Sequence, residues 1–215
     1  MKERNIGIDI LKFIAALIIT NSHMELLYGK YSILATGGAI GDVLFFFCSG
    51  FTLFLGKMGR FDNWYKRRIN RIYPTVFAWA IMGAFIFGYH NDMKYTLIDG
   101  GGWFVTCIMI YYVILYIIRR IMQNKLKWAF MITSIIVIAW YFIMNPPFGF
   151  NMYGGTYLKW GHYFLFMLLG ASLGITNKDN WKYSFKRDGL KALGCTFVYY
   201  SMLTVASKNR SCAAS

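Results

Sequence analysis

The chain has 215 residues, of which 57% are hydrophobic, 20% aromatic and only 15% charged, against about a quarter charged in an ordinary soluble domain. That balance excludes a soluble globular fold and points to a polytopic membrane protein. The net charge of +14 is not the footprint of nucleic-acid binding, because the basic residues fall in short clusters between apolar segments instead of on one continuous surface.

The first apolar segment begins "MKERNIGIDILKFIAALIITNSH". Its charged start and apolar centre are like a signal peptide, but Asp9 and Lys12 interrupt the run and no small-x-small cleavage site follows. It therefore reads as a retained first span. With 6–23, further apolar runs at 38–56, 69–89, 103–118, 128–144, 161–176 and 189–206 give seven spans, each long enough or nearly so for a hydrocarbon core that needs about 20 residues. The expected fold is an all-α, polytopic transmembrane helix bundle.

Residues 1–5, 57–71, 119–127 and 178–191 hold most of the 23 Lys and Arg residues, whereas the alternate loops hold only Lys30, Lys94 and Lys159. Every second loop is basic, as consecutive crossings require, so the N-terminus is expected to be cytoplasmic. Trp64, Trp103, Trp128, Trp160 and Trp181 fall near span ends, where indole rings act as interfacial anchors. Cys48, Cys107, Cys195 and Cys212 are widely spaced, with no C-x-x-C pair, and read as buried, inert thiols. The ending "VASKNRSCAAS" follows the last span directly. It reads like a chain cut short, a single integral-membrane domain over 1–215 that is incomplete at its C-terminus.

Three ionisable side chains in the first span need a reason. The eleven steps from Lys12 to His23 turn through about 1100°, within about 20° of three full revolutions, so the two share a helical face. Asp9, three residues before Lys12, lies on nearly the same face. The stripe thus carries an acid, a base and an imidazole over about 21 Å of rise. A charge at the bilayer centre costs at least about 2.5 kcal/mol, so the stripe is expected to face a bundle interior or wet cavity. The bland alternative pairs Asp9 with Lys12 at the cytoplasmic interface and leaves His23 among outer headgroups.

The next run, "GAIGDVLFFFCSGFTLF" at 38–54, holds Asp42 and then Ser49-Gly50, small residues that permit close helix approach. It is followed by "GKMGRFDNWYKRRINRIYP" at 56–74. Arg68 and Arg71 lie three apart on one face at the start of the third span, where two guanidinium forks would grip phosphate bidentately. Pro74 would kink or start that helix.

"IDILKFIAALIITNSH", "GDVLFFFCSGF", "FDNWYKRRINRIYP" and "GGWFVTCIMIYYVI", in this order and at these spacings, resemble the membrane-bound acyltransferase-3 family, whose members O-acylate cell-envelope sugars. The resemblance covers residues 4–118 well and the remainder only as generic spans. Its first-span pattern, an arginine, ten residues and a histidine, matches His23, but Lys12 stands at the arginine position and lacks the planar fork. Its Arg-x-x-Arg pattern matches Arg68 and Arg71 and is associated with the acyl-coenzyme A donor on the cytoplasmic side. Its Trp-led motif matches Trp103, without the acidic residue that often follows.

The resemblance implies a multi-pass transferase of a bacterial inner or plasma membrane that moves an acyl group, foremost acetyl from acetyl-CoA, to a hydroxyl of a polysaccharide or glycolipid at the cell surface. In that reading Arg68 and Arg71 bind the donor's phosphates, with Ser49 and Trp103 as further substrate contacts. Lys12 and Asp9 line the passage, and His23 is either the general base or the acyl carrier. No metal is expected, and His90, His162, Asp92 and Asp99 read as solvated interface residues. Glu25 orients the imidazole only if the helix ends there. The rival readings are a transporter or flippase that uses Asp9, Lys12 and His23 as an intramembrane relay, and an inactive acyltransferase fragment, since family members have about ten spans. Acceptor sugar, acyl group and oligomeric state have no signature in the chain.

Overall fold

The structure, a computed structural model, describes residues 5–56, 58–88, 92, 102–122, 125–144 and 158–176, all within one compact unit, Met1–Thr176. These residues are all-helical. The elements are α1 (Ile6–Ser22), α2 (Glu25–Tyr28) running into a 3-10 segment (Gly29–Leu34), α3 (Gly38–Leu55), α4 (Phe61–Phe87), α5 (Gly102–Met122), α6 (Leu126–Met144) and α7 (Leu158–Thr176).

Local chemistry sets several boundaries. Asn5 caps α1 by accepting the Ile8 N–H at 3.2 Å, and Asp9 sits in the first turn, where a carboxylate complements the helix dipole. Gly37, at φ 92°, supplies the left-handed turn that starts α3. Arg119 of α5 caps the other end of α3, donating from Nη1 to Leu53 O at 2.7 Å and from Nη2 to Gly56 O at 2.6 Å.

The expected start of the third span at 69 is corrected: α4 begins at Phe61 and carries Pro74 in its interior. The run read as a basic loop is amphipathic, with Trp64 only 3% exposed while Arg60 and Asp62 form an exposed pair at 3.2 Å. Burial of that indole favours helix over loop, at the cost of the one backbone bond that Pro74 cannot donate. Trp64 is therefore a core residue and not an interfacial anchor. Trp128, 57% exposed, remains a candidate for that role, and Trp181 lies outside the described residues.

The helix α3 is the centre, packed between α1 and α7. Its contact with α7 is backbone on backbone: a Cβ at Gly50 would run into the Met167 carbonyl, one at Gly170 into the Phe47 carbonyl, and one at Gly174 would lie 2.8 Å from Phe51 O. Glycine at these positions is what lets the helices meet. On the other side, a Cβ at Gly41 would lie 2.9 Å from Ala15 O of α1. The main core joins α3, α5 and α7 through Phe46, Cys107, Leu115, Met167 and Leu168. Cys48 and Cys107 are buried free thiols, and Cys195 and Cys212 lie outside the described residues.

Among the described residues α3, α4, α5 and α6 are long and apolar enough to cross a membrane, and α1 adds a fifth when it and the segment after its 63° bend are counted as one span. The expected span at 161–176 is helix α7, but Lys159 and His162 in its first turns lower its hydropathy and leave it outside that set. The expected span at 189–206 lies outside the described residues. The outer face of α6 carries Ile132, Ile135, Ile136, Phe142 and Ile143, each at least 48% exposed, as a lipid-facing helix requires.

Candidate functional site

A cavity of about 410 Å³ lies between α1, α3, α4 and α5. Four residues singled out in the sequence share its wall: Lys12, Ser49, Arg68 and Arg71. Lys12 reaches it because positions 8, 12, 15, 19 and 22 form the stripe of α1 turned toward α3. Ile8 packs with Cys48 and Phe51, while Ala15, Ile19 and Ser22 border Gly41 and Gly38. Arg68 and Arg71 reach it because three residues of helix turn them to one face.

Arg68 is held by aromatic rings. Its Cζ lies 5.0 Å from the Trp64 ring centroid and 5.9 Å from that of Tyr112. Its Nε is buried and has no hydrogen-bond partner among the described residues. Ser49 faces the Tyr112 hydroxyl, so the middle of the wall presents hydroxyl groups beside the cations.

The cavity has two unlike ends. The helices α3 and α5 run parallel, since Phe45 meets Phe104 in the N-terminal half of both and Leu53 meets Arg119 near the C-terminus of both. The wall is thus cationic and polar toward the C-terminus of α3, with Thr52, Arg68, Arg71 and Tyr112. Toward its N-terminus the wall is Phe45, Val76, Phe104 and Val105, with Lys12 of α1 at the level of Phe45, between Ile8 beside Cys48 and Ala15 beside Gly41. This shape and charge suit a ligand with an anionic head and a short apolar extension.

The remaining sequence candidates lie elsewhere. Asp9 is half-buried, and its charge, like that of Lys12, acts on Cys48 of α3. Trp103 is outside the cavity wall, stacked on Tyr163 at 5.6 Å, with the Lys159 ammonium 4.3 Å from its ring centroid. His23 is exposed at the C-terminal cap of α1, eleven residues or about 16 Å of helix beyond Lys12. The helix does end there: α2 begins at Glu25 after a 63° bend. His162 is half-buried in α7, its Nδ1 bonded to Leu158 O at 3.1 Å, and His90 and Asp99 lie outside the described residues.

Several residues near the site carried no weight in the sequence. Asn21 ties down the turn that bears His23: its Nδ2 donates to Leu34 O at 2.8 Å and its Oδ1 accepts from the Tyr28 hydroxyl at 2.7 Å. Asp42, 8% exposed, accepts from the Tyr163 hydroxyl at 3.3 Å, within electrostatic range of His23 and Lys159. A carboxylate within an apolar helix was the available signal for Asp42. Tyr112 had none, since its role comes from contact with α4. Among the described residues no group of three or more His, Cys, Asp or Glu converges as a metal site requires.

No curated protein and no solved structure matches the chain. A family model described as an acyltransferase domain, that of the acyltransferase-3 family, matches residues 5–207. Its match takes in every helix that lines the cavity, and the chain belongs to the acyltransferase-3 family.

Proposed function

We propose that the protein is an integral-membrane transferase that moves an acyl group, foremost acetyl, from acyl-coenzyme A to a hydroxyl of a cell-surface polysaccharide or glycolipid. The observation that carries this reading is the convergence of Lys12, Arg68 and Arg71, with Ser49, on one cavity inside an otherwise apolar bundle. Lys12 and Arg68 are half-buried and Arg71 is exposed; half-buried cations in a membrane bundle call for an anionic partner, and coenzyme A offers a diphosphate and a ribose phosphate. In this reading the cationic end opens to the cytoplasm, where the donor is made, and the N-terminus lies on that side.

Arg68 and Arg71 hold the donor's phosphates, and Lys12 offsets negative charge nearer the thioester. The acceptor hydroxyl oxygen attacks the thioester carbonyl carbon, the C–S bond breaks, and the coenzyme A thiolate leaves and takes a proton. His23 accepts the hydroxyl proton as general base, or carries the acyl group itself before passing it to the acceptor. The test expresses wild type and His23→Ala at equal membrane abundance and measures acyl groups on envelope glycans by mass spectrometry. Loss of the acyl mass is expected for the variant, and full retention would contradict the assignment.

A further inference from the structure

We propose that an open groove at the N-terminal end of α4 binds the adenosine end of the acyl donor, its adenine and ribose phosphate, an inference that rests on the donor reading above. Arg60, Phe61, Asp62, Tyr116 and Arg120 line the groove, which has a volume of about 520 Å³. It lies on the same α4–α5 seam as the cavity. Seven residues separate Phe61 from Arg68, a turn of about 700° and so within about 20° of two full revolutions, with about 10 Å of rise. On α5, Tyr116 stands one turn beyond Tyr112 of the cavity wall. The Trp64 ring lies against both, its centroid 6.1 Å from that of Tyr112 and 5.3 Å from that of Tyr116. With the N-terminus cytoplasmic, as in the reading above, the groove is at the cytoplasmic end of this seam.

Coenzyme A carries phosphate in two places, a diphosphate on one side of the ribose and a single phosphate on the other, beside the adenine. Arg68 and Arg71 supply two forks for the diphosphate, and the groove lies one nucleoside's reach further toward the cytoplasm. It has a group for each remaining part. Phe61 is 40% exposed and is fixed by Tyr65, stacked at 5.3 Å, and by Tyr116, edge to face at 5.1 Å, so its open surface is a platform for a base. The Tyr116 hydroxyl donates to Gly59 O at 3.0 Å. Arg120, exposed, donates to that hydroxyl from Nη1 at 3.5 Å, which holds its fork at the groove for a phosphate. Asp62 accepts from the exocyclic amine of adenine, and Arg60, 3.2 Å from it, offsets its charge toward the phosphate.

The experiment measures binding of acetyl-coenzyme A, acetyl-dephospho-coenzyme A and acetyl-phosphopantetheine to purified full-length protein in phosphatidylcholine nanodiscs. Wild type is expected to bind acetyl-coenzyme A about tenfold more tightly than the form without the ribose phosphate, the range of a charge-assisted hydrogen bond. Arg120→Gln is expected to lower that ratio to about threefold or less. Phe61→Ala is expected to weaken both nucleotide-bearing donors about tenfold, the worth of one base stack, and to leave acetyl-phosphopantetheine within about twofold. Phe61→Leu, which fills the space without an aromatic face, serves as the second variant if the alanine form does not fold. An unchanged ratio in Arg120→Gln, or undiminished acetyl-coenzyme A binding by the Phe61 variants, would overturn the groove and leave the donor reading standing. No binding of any of the three donors to wild type would overturn the donor reading and the groove together. Loss of phosphatidylglycerol retention in Arg120→Gln, with all three donor affinities unchanged, would overturn the groove as a donor site and assign it to a lipid headgroup.

Discussion

Arg68 and Trp64 stand one turn apart on α4, with the guanidinium carbon 5.0 Å from the ring centroid and the indole 3% exposed. A half-buried cation without a counter-ion on its own helix is thus held against an aromatic face, pointed at the cavity it lines. Such contacts contribute about 0.5–2 kcal/mol. Trp64→Leu is therefore expected to raise KM for the acyl donor by about two- to thirtyfold with a smaller effect on kcat, and Trp64→Phe to recover part of the loss. Steady-state kinetics over a donor titration checks it.

The stability of α3 depends on Arg119. Its two bonds to Leu53 O and Gly56 O satisfy carbonyls that the helix leaves open, and its charge complements the negative end of the helix dipole. Arg119→Met is expected to destabilise the bundle by about 1–3 kcal/mol, the lower part of that range if water screens the exposed Gly56 contact. Thermal unfolding in detergent, compared with Arg120→Met as a neighbouring charge control, measures it.

The α3–α7 contact makes a sharper prediction. A Cβ at Gly50 meets backbone atoms of Met167 and Ala171, whereas one at Gly56 would find its nearest neighbour at 3.7 Å. Gly50→Ala forces the two helices apart and is expected to cost about 1–3 kcal/mol, as overpacking does. Gly56→Ala is expected to be near neutral. The pair of melting temperatures decides whether the glycine contact sets the helix spacing.

Which features could be read in the chain follows from the range over which they are encoded. Lys12, Arg68 and Arg71 were legible because helical periodicity places them on faces, and the cavity wall uses those faces. The start of α4 was not, because charge in 57–71 reads as loop until Trp64 is seen to be buried by Tyr112 and Tyr116 of α5. Asn21 was invisible for the same reason, its bond to Leu34 O spanning thirteen residues. Gly170 and Gly174 stand in a small-xxx-small spacing that was there to be read, and the weak apolar pattern of α7 drew attention from it. His23 was placed by its spacing from Lys12, yet whether it faces a partner depends on the bend after α1, which no helical period encodes.

Lys12 tests the departure from the family's arginine. Lys12→Met removes a positive charge from the cavity wall and is expected to raise donor KM at least about tenfold, the range of one lost charge-assisted hydrogen bond. Lys12→Arg restores a fork that can bind phosphate or thioester oxygen bidentately and is expected to keep KM within about threefold of wild type. Comparing the two by donor titration separates loss of charge from change of shape.

The central claim is that the cavity holds the acyl donor through its cations, and binding of acetyl-coenzyme A to purified wild type and Arg71→Gln tests it most directly. Arg71 lines the cavity but is exposed, so the substitution spares the packed core. Saturable binding to wild type, weakened about tenfold or more in the variant and weakened further by salt, is the predicted result. Equal affinity in both proteins, or no binding to wild type, would contradict it.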